Sequence, residues 1–454
     1  MTLKCKQQTL PFFESVEDAR AGDLAGAVGG GDNSLRTEDS AFHTWYRFVL
    51  SYPPHLVRHY LRDFGLKEGA TVLDPFCGVG TTLIEAKLNQ LRSVGIEANP
   101  FPRFASAVKV NWRMDPYHLL AVASDIAAST YTSLAEQGID DRALTCDPHV
   151  TLRTLSPKAA RAIIKNSISP LPLHKTLVLL DELNRHRASD VHKYGMLALG
   201  NALVTTIGNL RFGPEVGVGR VKPDVPVVQT WLHEIRRMAD DLSLVREQPY
   251  PEAIVHLADA REVARVLAPE SIDAVMTSPP YPNEKDYTRT TRLESVVLGF
   301  FTDMSHLRTH KKRLLRSNTR GVYKHDDDDT WIANNQRIQR LAEAIEARRI
   351  ELGKTSGFER LYARVTKLYF GGMARHLTQL TSVLKPGARL AYVVGDQASY
   401  LRVMIRTGQI LAEIAQESGY QVDRIDLFRT RFATATRKEL REEVVVLRWP
   451  GHRH

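Results

Sequence analysis

Residues 71–82 read Thr-Val-Leu-Asp-Pro-Phe-Cys-Gly-Val-Gly-Thr-Thr: an apolar, β-forming start, an acid, a glycine-bearing turn and a threonine pair that opens a helix. A strand that bends sharply into a helix needs residues without side-chain bulk at the bend, and Gly78 and Gly80 supply them. Residues 82–89 then read as helical and residues 93–97 as a second strand, the opening of a parallel βαβ unit. Further strand-like runs at 254–257, 272–276, 389–394, 421–427 and 443–449 bring the total to seven. Seven strands with helices between them predict an α/β fold built on a Rossmann-like, doubly wound seven-stranded sheet.

The second and third strands are separated by a long stretch with helical apolar periods around 159–164, 175–183 and 194–207. With 454 residues the chain is long enough for one large core carrying insertions. The expected organisation is a flexible polar segment at 1–40, a core at 41–110 and 251–454, and a mainly helical insertion at 111–250. A smaller basic insertion is expected within the core at 303–359. A helix is expected to start near Pro54, after an aromatic run with Trp45, Tyr46, Phe48, Tyr52 and Pro53.

A formal net charge of +9 favours a polyanionic partner, because Lys and Arg that neutralise phosphates release counterions. Cys5, Cys77 and Cys146 contain no Cys-x-x-Cys pair, so neither a disulfide framework nor a structural zinc site is expected, and a reducing cytoplasm is the expected home. No window approaches the roughly 18 apolar residues of a membrane helix, so no membrane association is expected.

A second string carries chemistry. Residues 273–281 read Asp-Ala-Val-Met-Thr-Ser-Pro-Pro-Tyr, an apolar strand ending in a rigid polar-Pro-Pro-aromatic tip. The run from Asp74 to Thr82, through Pro75, Phe76, Gly78, Gly80 and Thr81, together with Ser278-Pro279-Pro280-Tyr281, resembles the paired motifs of the DNA amino-methyltransferases. That resemblance implies a class I methyltransferase fold, S-adenosyl-L-methionine as cofactor and double-stranded DNA as substrate. It also implies methyl transfer to the exocyclic amine of a flipped base, and possible cognate restriction or defence proteins as partners.

The resemblance implies that the glycine turn holds the methyl donor. Glu97, at the end of the second strand, can accept hydrogen bonds from two ribose hydroxyls. Asp259, after the third strand, has two readings: an acceptor for the cofactor's adenine amine, or a plain helix N-cap. The aromatic run at 45–54 resembles the segment that walls the methionine end of the cofactor, the favoured reading, with plain hydrophobic core the alternative. At the tip, the Ser278 side chain and the Pro279 carbonyl would accept the two amine hydrogens, and Tyr281 would stack on the base. A serine at the first tip position is similar to the cytosine-N4 enzymes and favours that base, with adenine N6 the alternative. More distant readings are an RNA guanine-N2 methyltransferase and a catalytically silent nucleic-acid-binding subunit.

DNA reading has two candidate locations, the Gly- and Arg-bearing stretch at 209–222 and the basic cluster at 311–320. The acidic run at 326–329 lacks the alternating ligands of a calcium loop and is expected to be exposed charge. No metal site is expected; His55 and His59 stand four apart, but Leu56 occupies the place where a zinc protease carries Glu.

Overall fold

The computed structural model describes residues 34–47, 51–213, 216–282, 285–433 and 438–451. Phe48, Cys5, most of the 1–40 segment, residues 214–215 of the glycine-rich stretch and residues 283–284 beyond the Ser-Pro-Pro-Tyr tip lie outside the described residues.

All seven expected strands form, and they join one sheet: β1 (Thr71–Asp74), β2 (Arg92–Glu97), β3 (Ala253–Leu257), β4 (Ile272–Thr277), β5 (Leu384–Gly395), β6 (Gln421–Ala433) and β7 (Lys438–Arg448). Their order across the sheet is β6-β7-β5-β4-β1-β2-β3. Every pairing from β3 to β5 is parallel, and β7 runs antiparallel to both of its neighbours. The chain walks outward from β1 through β2 to β3, then returns to lay β4 on the other side of β1. That reversal opens a crevice at the carboxyl ends of β1 and β4, where doubly wound sheets bind ligands. The strand order and directions are those of a class I methyltransferase sheet.

Alternation along each strand divides the core into two layers. Val72, Ala274, Met276, Ala391, Val393, Val444 and Val446 face helix α1 (Pro54–Asp63), which contributes Leu56, Val57, Tyr60 and Leu61. Leu73, Val275, Leu390, Tyr392, Val394, Val445 and Leu447 share the opposite layer with residues of three later helices. The glycine turn leads into α2 (Thr81–Leu88), and β2 leads into α3 (Pro100–Lys109), which starts on a proline with its missing N–H at a position that needs none.

Residues 111–250 contain four long helices, α4 (Pro116–Ala135), α5 (Pro170–Arg185), α6 (Asp190–Ala202) and α7 (Val227–Val245). Their apolar faces share one cluster with Phe42, Trp45, Tyr46, Leu83 and Phe101 of the core. An internal charge group holds this bundle: Lys175 Nζ lies 3.2 Å from Asp141 and 2.7 Å from Asp224, while Asp141 accepts the first two backbone amides of α7 at 2.9 Å each. The later long helices are α8 (Met304–Lys311), α9 (Gln336–Glu351), α10 (Tyr362–Leu380) and α11 (Thr407–Glu417); α9, α10 and α11 contribute to the second core layer. Among the described residues no helix is long and apolar enough to cross a membrane.

Candidate active site

At the carboxyl ends of β1 and β4 lies a cavity of about 740 Å³. One wall is the turn after β1. Pro75, Phe76, Cys77, Gly78, Val79 and Thr81 line it, and Glu97 and Asn99 after β2 continue it. Asp74, Gly80 and Thr82 lie behind this wall and hold it in place. Asp74 is fully buried and accepts from the Thr277 hydroxyl at 2.6 Å, the Phe76 amide at 3.1 Å and the Tyr52 hydroxyl at 2.9 Å. Thr82 donates to the Met276 carbonyl at 3.0 Å, so two residues of the β1 motif bond directly to β4. Gly80 has φ +86°, and a Cβ there would sit 2.5 Å from Ser106 Oγ; only glycine fits both the conformation and the space.

Gly78 turns at φ +50° and donates its amide to Glu97 Oε2 at 3.0 Å, while the Asn99 amide donates to Oε1 at 2.7 Å. Burial pushes the Glu97 carboxyl up to about 7, and the two amides oppose that rise. Each carboxylate oxygen keeps an acceptor position beyond its backbone bond. Asp259 caps the turn that follows β3 by accepting from the Arg261 amide at 2.9 Å, as the N-cap reading expects, and its side chain lines the cavity.

The facing wall comes from the tip after β4. Ser278, Pro279, Pro280 and Tyr281 all line the cavity. Ser278 Oγ donates to the Val393 carbonyl at 3.1 Å, so its one hydrogen is committed and its lone pairs remain. The Tyr281 ring rests over Gly395, where an added Cβ would come within 3.0 Å of it. Burial holds the Tyr281 phenol protonated, well above its ordinary range.

The aromatic run divides between its two readings. Tyr52 lines the cavity. Trp45 and Tyr46 are core residues, bonded to Asp241 at 2.7 Å and Glu294 at 2.6 Å respectively.

Several residues of the cavity wall and behind it escaped the sequence reading. His376 on α10 donates from Nδ1 to the Ala260 carbonyl at 2.8 Å, which leaves Nε2 to accept from the Tyr392 hydroxyl at 2.7 Å. Burial lowers its pKa to about 4, so it is a neutral prop, with its ring edge-on to Phe76 at 5.0 Å. The β6–β7 hairpin adds Phe428, Arg429, Arg431 and Glu442, and Gln397 follows β5. A register shift at Leu427/Arg429 breaks the simple alternation along β6, so period-2 reading does not mark these residues.

The charged segment at 303–359 requires two corrections. The acidic run is exposed charge only in part: Asp327 is exposed, but Asp328 is buried between Arg261 and Arg375, and Asp326 receives both Arg316 Nη2 at 2.7 Å and Arg316 Nε at 2.8 Å. Nor does the whole basic cluster await phosphates, because Arg316 is consumed by Asp326 and by backbone carbonyls, and Lys311 pairs with Asp286. Against the cost of burial, Lys311 holds the Asp286 carboxyl below its ordinary range. Residues 311 and 314–318 line the cavity itself, whereas 209–210 and 220–222 border a separate shallow depression. Among the described residues no cluster of three His, Cys, Asp or Glu side chains is placed to hold a metal ion.

With this geometry in place, the family model described as DNA methylase, the N6/N4 type, matches residues 33–102, which cover the β1 turn and Glu97. Over these residues the chain is similar to the N6/N4 DNA methylases. Type II methyltransferase M.BsoBI from Geobacillus stearothermophilus is 24% identical over 422 residues, 87% of this chain and 81% of that protein. Type II methyltransferase M.AvaI from a Nostoc species is 31% identical over 188 residues, a stretch that covers 39% of this chain and 38% of the relative. The crystal structure of TrmN from Thermus thermophilus aligns with a TM-score of 0.30 at 11% identity, covering 91% of this chain and 53% of that one. At that level the fold assignment rests on the strand order and not on the likeness.

Proposed function

We propose that this protein is a site-specific DNA methyltransferase that uses S-adenosyl-L-methionine and modifies the exocyclic amine of a flipped base, cytosine N4 in preference to adenine N6. The observation that carries this reading is the shared cavity, with the Phe76–Gly78–Glu97 wall on one side and the Ser278–Tyr281 tip on the other. Relatives named as Type II methyltransferases support it; cognate restriction or defence proteins as partners and a cytoplasmic setting belong to the same reading.

The residues present fit the methyl donor. Gly78 has open space where a Cβ would stand, and Glu97 keeps acceptor positions for ribose hydroxyls. Asp259 offers an acceptor to an adenine amine. When bound, S-adenosylmethionine supplies an electrophilic methyl carbon on a sulfonium that leaves as a neutral thioether.

The protein's task is to make the base amine nucleophilic. That nitrogen's lone pair is delocalised into the ring, and acceptors for both amine hydrogens favour its localisation. Ser278 suits this role, since its hydrogen goes to the Val393 carbonyl and its lone pairs are left to accept. The Pro279 carbonyl is the second acceptor in this reading. Two successive prolines offer no amide hydrogen to compete, and Tyr281 gives the base a flat apolar face. Serine at the first tip position supports cytosine.

Sequencing that detects modified bases, on DNA from a host expressing the protein, tests this directly. A modified cytosine at one recurring sequence is expected, with the signal lost in Ser278→Ala and Tyr281→Ala. Undiminished modification in both variants would remove the roles assigned to the tip, and modification found only in RNA would replace the substrate.

A further inference from the structure

Asp259 is tied to the second insertion through one arginine. Arg261 is buried and its guanidinium is divided three ways: Nε and Nη2 grip Asp259, Nη1 pairs with Asp328, and Nη2 also donates to the Arg313 carbonyl at 2.9 Å. Although burial opposes its charge, Asp259 and Asp328 hold the guanidinium more firmly protonated than an ordinary arginine. Both of its outer partners, Asp328 and Arg313, belong to the 303–359 insertion.

The bonds on Asp259 can be counted. Oδ1 accepts from the Arg261 amide at 2.9 Å and from Nε at 3.0 Å; Oδ2 accepts from the same Nε at 3.1 Å and from Nη2 at 2.6 Å. Three hydrogens, the Nε one shared by both oxygens, therefore fix the plane of the carboxylate against the guanidinium. The carboxylate lines the cavity and its side chain is 20% exposed, so it is reached from the ligand side. The neighbouring residues 314–318 of the insertion line the same cavity, and Leu315 packs close to Gly372 beside Arg261 and Asp328.

We infer that Arg261, fixed by Asp328 and the Arg313 carbonyl, is a positioning residue that holds the orientation in which Asp259 meets the adenine amine of the methyl donor, making the 303–359 insertion part of the cofactor site. This inference rests on the reading of the cavity given above. Its consequence is selectivity: a ligand with an amine at that point gains a hydrogen bond to a charged acceptor, and one with a carbonyl there meets like charge.

The test is a cycle of binding measurements by calorimetry with S-adenosylhomocysteine and its deaminated form, S-inosylhomocysteine. The wild-type protein is expected to prefer the adenosyl ligand by about tenfold to a hundredfold, the range set by one hydrogen bond to a charged group. Arg261→Lys keeps the charge but not the planar fork, and is expected to bind the two ligands with nearly equal affinity. Asp328→Asn, which loosens Arg261 from the insertion side, should shift the ratio in the same direction by a smaller factor and covers the case in which the lysine variant does not fold. A wild-type ratio retained in either folded variant overturns the inference, as does a wild-type protein that binds both ligands alike. A wild-type protein that binds neither removes the cofactor reading of the cavity instead.

Discussion

Glu97 combines two opposing demands at the scale of a single residue. It is buried deeply enough for its pKa to rise to about 7, yet holding ribose hydroxyls as an acceptor requires the ionised form. Hydroxyl donors stabilise the carboxylate, so binding draws the group toward its charged state. Cofactor affinity is therefore expected to rise as the pH climbs through about 7 and to level off above 8, with a proton released on binding near neutrality. Calorimetry with S-adenosylhomocysteine in buffers of different ionisation enthalpy measures both; affinity that is flat from pH 6 to 8 with no proton released would contradict this role. On the acceptor wall, Ser278→Ala removes an acceptor and leaves the cavity otherwise intact. Its turnover is expected to fall by at least about tenfold, since one well-placed polar group contributes about 2 kcal/mol or more to a transition state, with cofactor affinity unchanged.

At the scale of elements, the two motifs meet through β1 and β4. The bond from Thr277 to Asp74, with Thr82 bonded to Met276, makes the donor wall and the acceptor wall one rigid unit. Thr277→Val leaves Asp74 buried with one donor fewer, and the expected loss of stability is about 1–3 kcal/mol in chemical denaturation. A second junction lies where α10 passes the Asp328 turn. A Cβ on Gly371 would stand 1.9 Å from the Asp328 carbonyl oxygen, so Gly371→Ala forces backbone apart and is expected to cost about 1–3 kcal/mol, read as a lower thermal midpoint. A variant as stable as wild type would contradict the close packing of the insertion on this helix.

This scale also shows why some parts were legible in the sequence and others not. Each strand is a short apolar run with a fixed period, and Pro54 announces α1, so the elements could be located from local pattern alone. Phe76, Gly78, Glu97 and the Ser278–Tyr281 tip sit at strand ends within recognisable strings. Asp328 is different: its partners Arg261 and Arg375 lie 67 and 47 residues away, and no local pattern distinguishes a paired acidic run from a solvated one. His376 was hidden for the same reason, since its partners Ala260 and Tyr392 meet it only through the fold.

At the scale of the whole molecule, the net charge of +9 favours a duplex held by its phosphates. DNA affinity is expected to fall steeply and linearly on a log–log plot against salt concentration, measurable by fluorescence anisotropy; affinity independent of salt would contradict phosphate contact. The central claim concerns chemistry: one cavity brings an activated methyl group to the amine of a DNA base. Nucleoside mass spectrometry after incubating the purified protein with S-adenosylmethionine and unmodified DNA tests it most directly. N4-methylcytosine is the predicted product; N6-methyladenine alone would contradict the choice of base, and no methylated nucleoside in DNA would contradict the account itself.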